Sequence, residues 1–458
     1  MRDWEQATWA SGRTETEVIH RVGERIAAVA LDLTRTGDRL LILAGKGHNG
    51  DDARQAREHL PDRRVDFLEV NDAGKALPEL ETLLSRKPAL VMDGLFGIGL
   101  NRPLDGDWIS LIERLNAARA RVLSVDVPSG LNADTGAAWG AAVRASVTVT
   151  VGAPKRGMLE WNAAPYVGRI EIASDVGLVP CPARSELLWG VAGDFCDYPP
   201  ERLMETHKGT YGHLGIVAGS LGFHGAAVLA ARGAQRAHPG LITLYTSEAV
   251  YFPAAVQLQA VMVSPWTAGG DLSGHLSAVL IGPGLAAPEI AEEFRILTRR
   301  SWRTLPQPLV VDASALTWLP DEPVERNVPR IITPHPGEAA RLLRVPVKEV
   351  EADRIKALRE LSRRLGNAWV ALKGHHTLVG RAAGEVYVNP SGNPFLAQGG
   401  SGDVLSGYIA GLIAQPELAK DPLQAIRFAV WRHGTAADRL SRDQANWVTE
   451  DLVPELGR

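Results

Sequence analysis

Apolar residues recur at every third or fourth position over residues 16–33 (Val18, Ile19, Val22, Ile26, Val29 and Ala30), with Arg21, Glu24 and Arg25 between them. That spacing predicts an amphipathic helix with one buried stripe. The pattern then changes to short continuous apolar runs at 39–44, 64–70, 89–93, 122–126 and 145–151, with helical patterns between them. Such alternation predicts a parallel sheet covered on both faces. From residue 180 to 202 proline becomes frequent and periodicity fades, so one core is expected to stop and another to begin near residue 195. The expected domains are therefore 1–195 and 196–458. In the second, apolar runs at 214–218 and 241–245 flank a helical pattern at 226–237, and later runs end at Gly282-Pro283-Gly284, Asp312-Ala313-Ser314, Thr333-Pro334-His335 and Lys373-Gly374-His375. This predicts a second doubly wound α/β sheet whose strand-end loops line one crevice.

The 458 residues, 45% hydrophobic and 22% charged, suffice for two cores. A net charge of -4 gives no electrostatic reason to expect nucleic acid or an anionic membrane as partner. The two cysteines, Cys181 and Cys196, lack CxxC spacing, so neither a disulfide framework nor a zinc site is expected. The N-terminus lacks the apolar centre of a signal peptide, and no run of about 20 apolar residues occurs, so a cytoplasmic protein is expected.

Three loops carry the candidate chemistry. Asn389 to Asp403 is a glycine-rich stretch feeding a helical pattern; Gly399, Gly400 and Gly402 allow successive N–H groups to form an anion-binding nest. Asp403 would be repelled by the phosphate such a nest binds, so its role is either that of a base toward a substrate hydroxyl or that of an ordinary helix cap. In the first half, a strand runs into Gly45-Lys46-Gly47-His48, and Asp93 and Asp126 end two further strands. Acids at the carboxyl ends of parallel strands either converge on one crevice or each cap their own loop. His335 and Lys373 are likewise readable as surface residues when taken singly.

Taken together, the stretch Asn389 to Leu405 resembles the anion-hole signature of ribokinase-like enzymes. It is closer still to that of ADP/ATP-dependent NAD(P)H-hydrate dehydratases, with departures at Phe395, Leu396 and Gln398. The segment 312–316 departs from that family's pattern only at Ser314. The resemblance, covering about residues 200 to 455, implies that Ala226, Gly284, His335 and Asp403 meet the hydrated nicotinamide nucleotide. It also implies that Lys373, Gly374, His375, His376, Thr377, Gly400, Ser401 and Gly402 meet ADP or ATP, with Mg2+. Asp403 would deprotonate the ring hydroxyl, whose oxygen attacks the terminal phosphoryl group before phosphate is eliminated.

The ordered motifs Gly45 to Asp52, Asp93 to Gly99 and Asp126 to Leu131 resemble the NAD(P)H-hydrate epimerase domain of the YjeF N-terminal family over about residues 1 to 190. Departures occur at His48, Asp51 and Ala53. The resemblance implies a potassium ion on Asn49, Asp93 and Ser129. It places the substrate on His48, Asn49, Gly50, Asp51 and Asp52 and on the loop Gly97, Ile98, Gly99, Leu100, Asn101, Arg102 and Pro103, with Asp126 as acid/base. A homo-oligomer is part of the same expectation. Two rival readings share these residues: a ribokinase-like kinase that stops at the phosphorylated product, and an N-terminal domain that is only a binding or oligomerisation module.

Overall fold

In the computed structural model, which describes every residue except 268, 273 and 289, the chain divides into two units, Met1–Arg184 and Ser185–Arg458. In the first unit, β1 (Arg39–Ala44), β2 (Arg64–Glu69), β3 (Leu90–Gly94), β4 (Val122–Val125), β5 (Val147–Val151) and β6 (Arg169–Ala173) form one parallel sheet in the order β2-β1-β3-β4-β5-β6. The strands read as continuous apolar runs because both faces are buried. Leu40 and Ile42 of β1 pack with Val18, Val22 and Ile26 of the helix Glu15–Asp32, while Leu41 and Leu43 pack with Leu80 and Leu111 of helices on the other face. The predicted amphipathic helix is thus present, and its Thr14 hydroxyl and Glu17 carboxylate form a capping box. The order reverses between β1 and β3, so the loops after these strands open a crevice at their carboxyl ends.

The second unit holds a ten-stranded sheet. Its strands are β7 (Leu187–Trp189), β8 (His213–Val217), β9 (Leu241–Thr246), β10 (Met262–Pro265), β11 (Ala278–Ile281), β12 (Leu309–Val311), β13 (Arg330–Ile332), β14 (Trp369–Leu372), β15 (Leu378–Gly380) and β16 (Val386–Val388). The order is β10-β9-β8-β11-β12-β13-β14-β15-β16-β7. Seven strands from β10 to β14 are parallel, and β15 is antiparallel to both its neighbours. The short segments after Lys373 fold back as an antiparallel hairpin, so the sheet is mixed at that side. One detail differs from the expectation. The units divide at residue 184, not 195, because β7 pairs with β16 and so belongs to the second sheet. The helices His224–Arg236 and Ser401–Ile413 lie side by side in close contact, Gly233 against Val404 and Gly407 against Ala230. Both begin at the end of the sheet where the strand-end loops gather. Among the described residues, no helix is long and apolar enough to cross a membrane.

Candidate active sites

In the first unit, the carboxylate of Asp93 leaves β3 wholly buried, and burial raises its pKa against the opposing hydrogen bonds it accepts. Those come from the hydroxyls of Ser129 (2.5 Å) and Ser124 (2.7 Å) and from the Ser129 backbone N–H (2.9 Å). The side-chain amide of Asn49, in the first turn of the helix His48–Glu58, donates to the carbonyls of Phe96 and Val125, each at 2.9 Å. Asn49, Asp93 and Ser129 therefore stand in one oxygen-rich cluster. Asp93 has no cationic side chain beside it among the described residues. An all-oxygen donor set around a buried carboxylate with no cation beside it suits a hard cation, and these residues are compatible with potassium.

Above this cluster opens a cavity of about 900 Å³ lined by His48, Asn49, Asp52, Asp126 and the whole loop from Gly97 to Pro103. Most of the residues expected at the substrate thus face one space. Two do not. Gly50 packs so closely on the Gly45 carbonyl that a Cβ there would stand 2.0 Å from its oxygen. Asp51 turns to Arg54, which bonds it at 2.7 Å and also holds Glu69 and the Gly45 carbonyl. Its extra charge, relative to the glycine of the resembled motif, is thereby answered by a local cation. His48 bonds Glu15 at 2.7 Å across the cavity's rim. Asp126 has φ of 61°, a conformation unusual for a non-glycine residue and common where a side chain is aimed at a site. Its Oδ1 is contacted by the ammonium of Lys155, a residue that sequence reasoning missed because it lies 29 positions away in a segment without a motif.

In the second unit, Gly400 begins the helix Ser401–Ile413 at φ 90°, no side chain caps the first turn, and the Ser401 N–H makes only a long 3.4 Å bond to the Gln398 carbonyl. A Cβ on Gly400 would also strike Leu229 at 2.4 Å. The departures around it keep the loop in place: Leu396 packs on the core, the Gln398 amide donates to the carbonyls of Phe395 and Trp447, and the Thr449 hydroxyl donates to the Gly399 carbonyl. His433 lies buried beneath and donates from Nε2 to the Ser401 carbonyl; burial brings its pKa down to about 4, so it serves as a neutral prop.

Lys373 directly follows β14, its ammonium 3.0 Å from Asp312 and 3.9 Å from Glu338, and 3.2 Å from where a Gly402 Cβ would lie. Burial pushes its pKa down, but Asp312 and then Glu338 outweigh this and hold it up. Asp403 stands in the same group. Burial first, and then the charge of Asp312, lift its pKa to about 7 against the pull of Lys373. His335 caps the helix Pro336–Leu343, accepting from Gly337 N–H at Nδ1, while Glu338 bonds the His335 N–H; burial lowers the His335 pKa. Ala226 and Gly284 also meet, since a Cβ on Gly284 would come within 2.8 Å of the Ala226 methyl. Ser220, absent from the expectation, binds their loops by donating to the Gly284 carbonyl at 2.6 Å.

Of the loop Lys373 to Thr377, His376 is buried with its ring 5.2 Å from that of Trp189, which leaves its backbone rather than its side chain for a ligand. The loop's shape comes from Arg354, buried and donating to the carbonyls of Leu372, Lys373, His375 and His376. No motif marks Arg354 in the sequence. Arg354→Ala is expected to lower the stability of this unit by about 2–4 kcal/mol, because several charge-assisted bonds vanish at once. Arg354→Lys rescues little of it, since an ammonium cannot span four carbonyls. Chemical denaturation of the full chain measures both.

Two family models match the chain, one described as the YjeF-related protein N-terminus over residues 52–157 and one as NAD(P)H-hydrate dehydratase over residues 214–456. The bifunctional NAD(P)H-hydrate repair enzyme of Coxiella burnetii is 35% identical to it, with 100% of this chain and 97% of that one covered. Among solved structures, the ADP/ATP-dependent NAD(P)H-hydrate dehydratase of Bacillus subtilis, co-crystallised with ATP and Mg2+, is 34% identical. It covers 56% of this chain and 91% of its own, with a TM-score of 0.51. A ribokinase-like superfamily protein of Enterococcus faecalis, 23% identical and covering 61% of this chain and 97% of its own at a TM-score of 0.52, shares the fold of the second unit. The chain belongs to the bifunctional NAD(P)H-hydrate repair enzymes, with a YjeF-type N-terminal unit and a ribokinase-like dehydratase unit.

Proposed function

We propose that the chain repairs hydrated NADH and NADPH at two sites, the first unit interconverting the R and S forms and the second dehydrating the S form with ADP or ATP. The observation that carries the second activity is the position of Asp403. It follows an uncapped helix start, stands beside the Lys373 ammonium, and has a pKa raised to about 7, near the value that suits a general base at neutral pH. Asp403 takes the proton of the ring hydroxyl, and the oxygen attacks the terminal phosphoryl group of the nucleotide. The N–H groups of Gly400, Ser401 and Gly402, with Lys373, answer the charge on the transferred group. The ring nitrogen's lone pair then expels phosphate, a far better leaving group than hydroxide. Magnesium would accompany the nucleotide at its phosphates and, when bound, would help to neutralise the charge on the transferred group.

In the first unit Asp126 handles the proton exchanged as the hydroxyl changes face. Asn49, Asp93 and Ser129 would hold potassium, which when bound neutralises Asp93 and orders the loop that follows β3. Asp52 and the Gly97 to Pro103 loop bound the substrate.

The test is to incubate the purified chain with mixed R and S hydrated NADH, potassium, magnesium and ADP or ATP, following the absorbance of the reduced nicotinamide. Full recovery, faster than spontaneous interconversion of the epimers allows, is expected. Recovery that stops at the S fraction removes the epimerase reading, and a stable phosphorylated product converts the second site into a kinase.

A further inference from the structure

Lys155 is only 7% exposed and does not line the cavity into which Asp126 opens. Its ammonium has three acceptors for its three N–H bonds: Asp126 Oδ1, the Thr150 hydroxyl at 2.9 Å and the Val151 carbonyl at 3.1 Å. An ammonium so fully engaged is fixed, and it fixes its carboxylate. The Val151 N–H (3.1 Å) and the Thr150 hydroxyl (3.4 Å) reach the same Oδ1. No described residue bonds Asp126 Oδ2, which is left for the cavity. A second acid, Asp52, lines the same cavity at 8% exposure and has neither an ion pair nor a hydrogen bond from any described side chain. A buried carboxyl without a partner is most cheaply kept protonated. Burial raises its pKa well above the usual range, the charges of Asp126, Asp51 and Glu5 raise it further, and Lys155 opposes them.

We infer that Asp52 and Asp126 form a two-carboxyl proton relay for epimerisation, and that Lys155 is the positioning residue that makes Asp126 its ionised member and leaves Asp52 as the acid. The inference rests on the epimerase reading above. The hydroxyl to be inverted sits on a ring carbon bonded to the ring nitrogen. Asp52 gives its proton to that hydroxyl, the C–O bond breaks with its electron pair on oxygen, and water leaves. The nitrogen lone pair forms the C=N⁺ bond. A water on the opposite face then adds its lone pair to the carbon, the C=N electrons return to nitrogen, and Asp126 accepts the proton released. Transfer of that proton back to Asp52 through water closes the cycle, with no atom or electron gained or lost. The same steps in reverse convert the other epimer, as an isomerase requires.

The test gives the full chain the pure R form of hydrated NADH, with potassium but no adenine nucleotide so that nothing is dehydrated, and follows the S form by chromatography across pH. For the unaltered chain, the rate is expected to fall along an alkaline limb as Asp52 loses its proton. The near-isosteric Asp52→Asn is expected to lower kcat about 100-fold with KM nearly unchanged, and its residual activity to lose the alkaline limb. Lys155→Met is expected to lower kcat at least tenfold with KM nearly unchanged, because Asp126 loses the counter-charge and the bond that fix it beside the cavity; Lys155→Arg, which keeps both, is expected to recover a large part of that loss. A loss below tenfold in Asp52→Asn, an alkaline limb that survives there, or an unchanged kcat in Lys155→Met overturns the relay while leaving the epimerase reading intact. If the unaltered chain fails to exceed spontaneous exchange, the epimerase reading itself falls.

Discussion

Asp403→Asn is expected to reduce nucleotide-dependent dehydration by about 10²–10⁴-fold in kcat, the usual contribution of a positioned general base, while epimerisation at the other site continues. Asn is nearly isosteric and remains compatible with the first turn of the helix, so nucleotide binding should survive the change. The pH dependence follows from the carboxyl's surroundings. Its pKa stands at about 7, above the ordinary value of 3.8, because burial and Asp312 disfavour the charged form. The base is therefore only half ionised at neutrality, and dehydration should fall about tenfold for each pH unit below about 7. The effect on stability has the opposite sign. A carboxyl whose pKa is raised on folding contributes stability that is fully present below its unfolded value and is lost as pH rises through the folded one. Asp403 thus weakens the second unit progressively between about pH 4 and 7. Asp403→Asn should accordingly raise the unfolding temperature at pH 8 and change it little at pH 4. A variant that is inactive yet more thermostable only at the higher pH would identify Asp403 as a group held charged for chemistry rather than for folding.

The sequence makes legible those parts of the molecule that depend on neighbours along the chain. The helix Glu15–Asp32 and the strands of the first sheet follow from local period, and the loop Asn389 to Asp403 announces its nest through its glycines. Asp93 and Asp126 are visible because each ends an apolar strand. What stays hidden depends on partners brought from far away. Lys155 meets Asp126, Arg354 gathers four carbonyls of another segment, and Ser220 joins two loops, and none of the three sits in a motif. Asp51 misleads for the same reason. Read along the chain it places a charge in a phosphate loop; in the fold, Arg54 one turn later and Glu69 on β2 remove it from the cavity. The boundary moves because three residues, Leu187–Trp189, are too few to register as a strand until β16 is there to pair with them.

Lys373→Met is expected to lose both stability and dehydratase activity, and the two losses can be separated. The ammonium stands among Asp312, Glu338 and Asp403, so removing it leaves buried carboxylates without a counter-charge, a change that typically destabilises by about 3–5 kcal/mol. The unit can relieve this only by taking up protons, so the variant should lose more at pH 8 than at pH 5.5, and the pKa of Asp403 should rise further above about 7. Activity near neutrality then falls because the base is protonated, and also because the nucleotide loses a cation at its phosphates, which raises its KM. Adding Asp312→Asn distinguishes these effects. The acid nearest the missing ammonium becomes neutral, so the double variant should regain a large part of the lost stability, a coupling that a double-mutant cycle reads directly by thermal unfolding. Dehydration should stay at least 100-fold below the unaltered chain, with nucleotide KM still raised, because neutralising Asp312 returns no cation to the phosphates. Recovery of activity together with stability would instead make Lys373 purely a counter-ion for the acids around it.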